Sequence, residues 1–173
     1  MTFWTNEPDD FGVPGNTFGS VPERFYGALG RIVALGALSE MQFASLVCHL
    51  ARLTEKTLAG HQMKQIVERF DKLAEKQSAA GRPLPEEVVA IRIDLKAAMD
   101  ERNALVHSSW PTVTLELARG WRTVPKSLRT SDDEYVVWTE TNIDEMTALI
   151  GRLAAFGGRM QRYMNEHPPD LVG

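Results

Sequence analysis

Apolar residues change their spacing twice along the chain. From Val21 to His107 they recur at helical intervals, from Thr112 to Thr139 they alternate, and from Ile143 the helical interval returns. Ser20-Val21-Pro22-Glu23 has the form of a helix start, with a serine cap, an early proline and an early acid. That helix carries Phe25, Leu29, Ile32 and Val33 towards Gly36. Ser39-Glu40-Met41-Gln42 is a capping-box pattern and predicts a second helix, with Phe43, Leu46, Val47, Leu50 and Leu53 on one face. A third is expected from about Met63 to Ala80, carrying Ile66, Phe70 and Leu73 and broken by Gly81-Arg82-Pro83-Leu84-Pro85. A fourth runs from Pro85 or Glu86 to His107, and Pro111 forbids its continuation.

Thr112-Val113-Thr114-Leu115-Glu116-Leu117 then alternates, as does Glu134-Tyr135-Val136-Val137-Trp138-Thr139, with Trp121-Arg122-Thr123-Val124 as a further short strand. Thr141-Asn142-Ile143-Asp144 opens a last helix. Its apolar stripe runs through Met146, Leu149, Ile150, Leu153, Phe156, Met160 and Tyr163. The expected fold is mainly α: an antiparallel bundle of about five helices with a small β-hairpin or meander inserted before the last one. Residues 1–19, rich in Gly, Pro, Asp and Asn, read as an irregular arm. Its Phe3, Trp4, Phe11 and Phe18 suggest that it packs. Residues 20–167 then form one domain with the hairpin insert at about 110–139, and 168–173 a tail.

Composition adds few restrictions. With 173 residues, 43% hydrophobic and 24% charged, the chain can bury a substantial core. The single cysteine, Cys48, excludes an intrachain disulfide and a cysteine-rich zinc site. The N-terminus lacks the basic and apolar regions of a signal peptide. No apolar run reaches membrane-spanning length, so a cytoplasmic location and no membrane contact are expected. The net charge of −4 argues against a general nucleic-acid coat. Between Ile91 and Thr130, however, seven basic residues face four acidic ones, against 12 and 19 elsewhere. This local excess fits either a polyanion site or scattered surface charge.

The basic segment contains Glu101-Arg102-Asn103-Ala104-Leu105-Val106-His107-Ser108-Ser109-Trp110-Pro111, the densest grouping of residues able to do chemistry. Arginine binds phosphate, and histidine moves protons near neutral pH. At 100° per residue from Leu95, Val88, Ile91, Met99 and Val106 fall within about 40° of one direction, and Arg102 within about 20° of it. A guanidinium centred on an apolar seam is costly unless it is paired or faces a polar pocket. Two alternatives stand: a buried structural ion pair, or a site. Asn103 and His107 are i and i+4 and so neighbours, and Arg92 and Lys96 share their flank. That strip is either a solvated flank with His107 on the last helical carbonyls, or a binding strip with Asn103 orienting the imidazole. The remaining histidines, His49, His61 and His167, lack metal-ligand spacing, and the chain has no Gly-rich phosphate loop or serine-nucleophile motif.

At these residues the chain resembles the HEPN superfamily, helical-bundle proteins of prokaryotic defence and RNA metabolism. Their motif is Arg, a polar residue that is often Asn, a few further residues, then His near a helix end. Here it reads Arg102-Asn103-Ala104-Leu105-Val106-His107. Ser109 stands two positions after His107, where the toxin–antitoxin branch carries tyrosine. The resemblance implies a metal-independent, cofactor-free endoribonuclease acting on single-stranded RNA as a homodimer, in phage defence or stress response, with an antitoxin or regulatory protein as a further partner. Arg102, Asn103 and His107 are then the catalytic residues, and Arg92, Lys96, Ser108 and Trp110 the RNA contacts. The alternative is a non-catalytic module of the same build that binds RNA, nucleotide or a partner protein.

Overall fold

The computed structural model describes residues 21–124 and 135–168, apart from the side chains of Glu55 and Thr112. Ser20, the expected arm before it, residues 125–134 within the expected hairpin insert, and the expected tail after Pro168 lie outside the described residues. Within them the fold is mainly helical, with α1 (Glu23–Ala51), α2 (Met63–Ala79), α3 (Glu86–Val106) and α4 (Ile143–Glu166). A three-stranded antiparallel sheet, β1 (Ser109–Val113), β2 (Ala118–Thr123) and β3 (Val136–Thr141), lies between α3 and α4 in the order β1-β2-β3. The chain divides into two compact units, Met1–Val33 with Glu101–Leu149, and Ala34–Asp100 with Ile150–Gly173.

Among the described residues there are four α-helices rather than five, because α1 runs unbroken for 29 residues through both expected N-terminal helices. Phe25, Ala28, Ile32, Gly36, Ser39, Phe43 and Leu46 form a single buried stripe at three- and four-residue steps, with Val47 and Cys48 buried beside its end. Gly36 lowers helix propensity by roughly 1 kcal/mol relative to Ala, which this packing outweighs. Ser39 caps nothing: it is buried, and its hydroxyl donates to the Leu153 carbonyl at 3.3 Å. The fused helix also contains an 18-residue window of mean hydropathy 1.4, long and apolar enough to cross a membrane by length and composition. Core helices pass the same test, and Phe25, Ile32, Phe43, Leu46 and Val47 of α1 are buried.

In the second unit α2 opens where Gln65 Oε1 accepts from the Gln62 amide at 2.9 Å. It ends at Gly81, whose φ of +70° lets the Arg82 amide reach back to the Gln77 carbonyl at 2.9 Å. Pro85 precedes α3, and Glu86 and Glu87 in its first turn suit the positive end of the helix dipole. The core of this unit joins Phe43 and Phe70, ring centroids 5.5 Å apart, with Ile66, Ile91, Leu95, Leu153 and Met160. The Gln42 side-chain amide lies close over Gly157 of α4, where a Cβ would come within 2.6 Å of its nitrogen and the flexible side chain would have to move.

In the first unit the sheet starts earlier than the alternating pattern predicts. β1 begins at Ser109, three residues after α3 ends, and contains Pro111. Proline is tolerated because β1 is an edge strand and its register shifts between Ser109 and Thr112. The predicted strand's second half is instead a turn, in which the Leu117 amide donates to Thr114 Oγ1 at 3.0 Å. α4 begins as its sequence indicates: Asn142 Oδ1 accepts from the amides of Asp144 and Glu145 at 3.0 and 2.9 Å.

Candidate functional site

The motif lies where α3 runs into β1, entirely within the first unit. The buried positions of α3 are Val88, Ile91, Leu95, Ala98, Met99 and Leu105, and Arg102 takes the next place in that seam. Its guanidinium is half-buried. Nη1 donates to Asn103 Oδ1 at 2.8 Å, whereas Nε is buried without a hydrogen-bond partner. Among the described residues Arg102 makes no ion pair, so none of the acids there serves as the counter-ion that a structural ion pair requires.

Asn103 is turned towards Arg102 instead of His107. Its carbonyl oxygen is taken by the guanidinium, which leaves the amide NH2 without a partner among the described residues. His107 follows the last helical residue, and its backbone amide donates to the Asn103 carbonyl at 3.1 Å. The imidazole is exposed and has no hydrogen bond to another described residue. The site therefore offers a forked cation in a partly dry seam, an amide donor beside it and an imidazole in water. These groups suit the binding of a phosphoryl oxygen with a proton acceptor nearby.

The four expected RNA contacts are placed differently. Arg92, in the second unit, is held by Asp71 through two bonds, Nε to Oδ1 at 3.1 Å and Nη2 to Oδ2 at 2.7 Å. Lys96 pairs with Asp100 one turn along the helix at 2.5 Å. With both side chains more than half exposed, that pair contributes little and opens easily. Ser108 is buried. Its hydroxyl donates to the Ala104 carbonyl at 2.6 Å and is also placed to donate to Thr139 Oγ1 at 3.2 Å. Trp110 is half-buried, with Nε1 donating to the Leu105 carbonyl at 3.0 Å and its ring edge-on to Phe25 at 5.3 Å. A Cβ on Gly120 would meet that ring at 2.7 Å, so the glycine makes room for the indole. Ser108 and Trp110 thus fasten the helix end to the sheet.

Sequence reasoning passed over the strand face beyond the motif. Trp121 and Trp138 are cross-strand partners on the outer face, both exposed, with the Arg119 guanidinium 5.9 Å from the Trp138 ring and ion-paired with Glu140. Arg122, on the inner face, has a buried and unpartnered Nε like that of Arg102. Only the local excess of basic residues pointed to it.

The second unit has clefts of its own. One of about 600 Å³ is lined by Met41, Cys48, His49, Leu53, Met160 and Met164 among others, none of them motif residues. Beside it His49 Nε2 lies 2.7 Å from the His167 carbonyl, and His167 stacks on Tyr163 at 4.4 Å. Among the described residues no group of three or more His, Cys, Asp or Glu is placed to hold a metal ion. Comparison of the chain with family models, curated proteins and solved structures finds no match.

Proposed function

We propose that the protein is a HEPN-like endoribonuclease, a helical bundle that works as a homodimer with the motifs of two copies lining one cleft. The observation that carries this reading is Arg102 Nε, a buried donor in an apolar seam with no acceptor. A phosphodiester would supply that acceptor. In the reaction, His107 removes the proton of an RNA 2′-OH, and the 2′-oxygen bonds to the adjacent phosphorus. The bond from phosphorus to the 5′-oxygen breaks, and the leaving oxygen takes a proton from water. The products are a 2′,3′-cyclic phosphate and a 5′-hydroxyl. Arg102 holds the phosphoryl oxygens as negative charge builds, and Asn103 keeps the guanidinium in position.

The free state of His107 supports a second reading, a module that binds RNA without cutting it. A general base is usually oriented by a partner, and this imidazole has none among the described residues. Incubation of the wild type, Arg102→Ala and His107→Ala with single-stranded RNA in EDTA decides between the two. The nuclease yields cyclic-phosphate ends only with the wild type. Salt-dependent affinity without product leaves the binding module, and equal cleavage by all three refutes the assignment of these residues.

A further inference from the structure

Among the described residues, two buried side-chain nitrogen or oxygen atoms lack a hydrogen-bond partner, and both are arginine Nε atoms: Arg102 on α3 and Arg122 on β2. Buried donors without acceptors are rare in folded proteins, and each calls for an explanation such as a missing ion. Both residues belong to the first unit, and neither forms an ion pair with a described residue.

The sheet register brings the two segments together. Ser109 is paired with Trp121, so the next position along β2, Arg122, lies at the end of β1 where the chain arrives from His107 and Ser108. Exposure along β2 alternates: Ala118 and Gly120 are buried, Arg119 and Trp121 exposed, and Arg122 half-buried. Arg122 thus shares the inner face with Gly120, against which Trp110 packs. Across from it on β3 are Val137 and, opposite Gly120, Thr139, whose hydroxyl meets Ser108. Positions two apart on one face of a strand are about 7 Å apart. Arg122 is therefore one such step from the junction at which α3 is fastened to the sheet.

We infer that Arg122 is a second phosphate-binding residue, and that it and Arg102 grip one phosphoryl group of the RNA backbone from the strand side and the helix side. This rests on the reading of the motif as a phosphate site, and not on cleavage. A carboxylate offers two oxygens and satisfies a single guanidinium fork. A phosphodiester in RNA presents two non-bridging oxygens together with its bridging ones, enough for donors from two arginines. Each Nε gains the acceptor it lacks in the free protein.

The test is a titration of the full-length protein, following the arginine Nε–Hε signals by ¹H–¹⁵N NMR. Inorganic phosphate is added first, then a single-stranded 2′-O-methyl RNA that the proposed chemistry cannot cut. The Arg102 and Arg122 signals should move together along one binding curve with each probe. Arg122→Gln should weaken binding of the 2′-O-methyl RNA about tenfold, the effect of losing a hydrogen bond from a charged group. Arg119→Gln, on the outer face of the same strand, should stay within about twofold, as an exposed, already paired cation would. Movement of the Arg102 signal alone, different curves for the two signals, or equal losses in the two variants would overturn the inference. Failure of Arg122→Gln to fold leaves the wild-type titration to decide. Common movement in a protein that cuts no RNA would uphold the phosphate site while refuting the nuclease.

Discussion

Replacing Arg102 by methionine separates stability from function. The methionine keeps most of the apolar stem in the seam between Met99 and Leu105 and removes the guanidinium. Two terms oppose each other. Relief of the buried, unsatisfied Nε returns about 1–3 kcal/mol. Loss of the Nη1 bond to Asn103, a partly exposed bond between neighbours on the helix, costs about 1 kcal/mol. The variant should therefore be more stable by about 1 kcal/mol, which for a chain of this size raises Tm by roughly 2–4 °C. Urea and thermal unfolding measure the gain, and RNA binding by fluorescence anisotropy measures the loss on the other side. A gain in stability together with weaker RNA binding is the signature of a residue kept for a ligand. Destabilisation by more than about 2 kcal/mol would refute the reasoning, because it would mean that Arg102 neutralises a buried acid in the folded protein.

Further changes probe the frame of the site and the stability of the fold. Trp110→Ala removes the indole that bonds to Leu105 and packs on Phe25, and should cost about 3–5 kcal/mol; Gly120→Ala pushes a methyl into the same ring and should cost about 1–3 kcal/mol in urea unfolding, and no loss in either would refute this packing. Asn142→Ala deletes both capping bonds of α4 and should lower stability by about 1 kcal/mol, whereas Asn142→Asp should retain most of it. Tyr163 is buried, and burial first and the Glu87 carboxylate second hold its phenol above the usual value near 10. Above about pH 10 the unfolded chain then loses this proton while the folded protein keeps it, so stability falls as pH rises towards the folded value. Tyr163→Phe should flatten that part of the profile, and an unchanged alkaline slope would show that another group is responsible.

Signals that act within a few residues were legible in the sequence. Pro85 and the apolar spacing marked the start of α3, and Asn142 lay at the start of α4, because caps and prolines work on the adjacent turn alone. The same arithmetic located Arg102 beside Met99 in the seam, since side-chain direction on a helix follows from residue number, but it gave the last seam position to Val106, where the structure buries Leu105. The capping pattern at Ser39 misled because a cap is used only where a helix ends. There the stripe from Phe25 to Leu46 continues, and Ser39 bonds to α4 instead. α3 ends before Pro111, as that proline requires, but its further place in an edge strand depends on which strand lies beside it.

The chemistry divides along the same line. The chain alone determined which residues could act and where on the helix they stand: Arg102 among apolar neighbours, Asn103 beside it and His107 at the end. Only the tertiary structure decided their partners. It turned Asn103 to Arg102, tied Arg92 to Asp71, enclosed Ser108 and fitted Trp110 over Gly120. It also left Arg102 Nε and Arg122 Nε buried without acceptors. Helix periodicity is a property of successive backbone angles, so it can be read from order alone. Whether a buried donor is satisfied depends on which distant segment folds against it, and no local pattern contains that information.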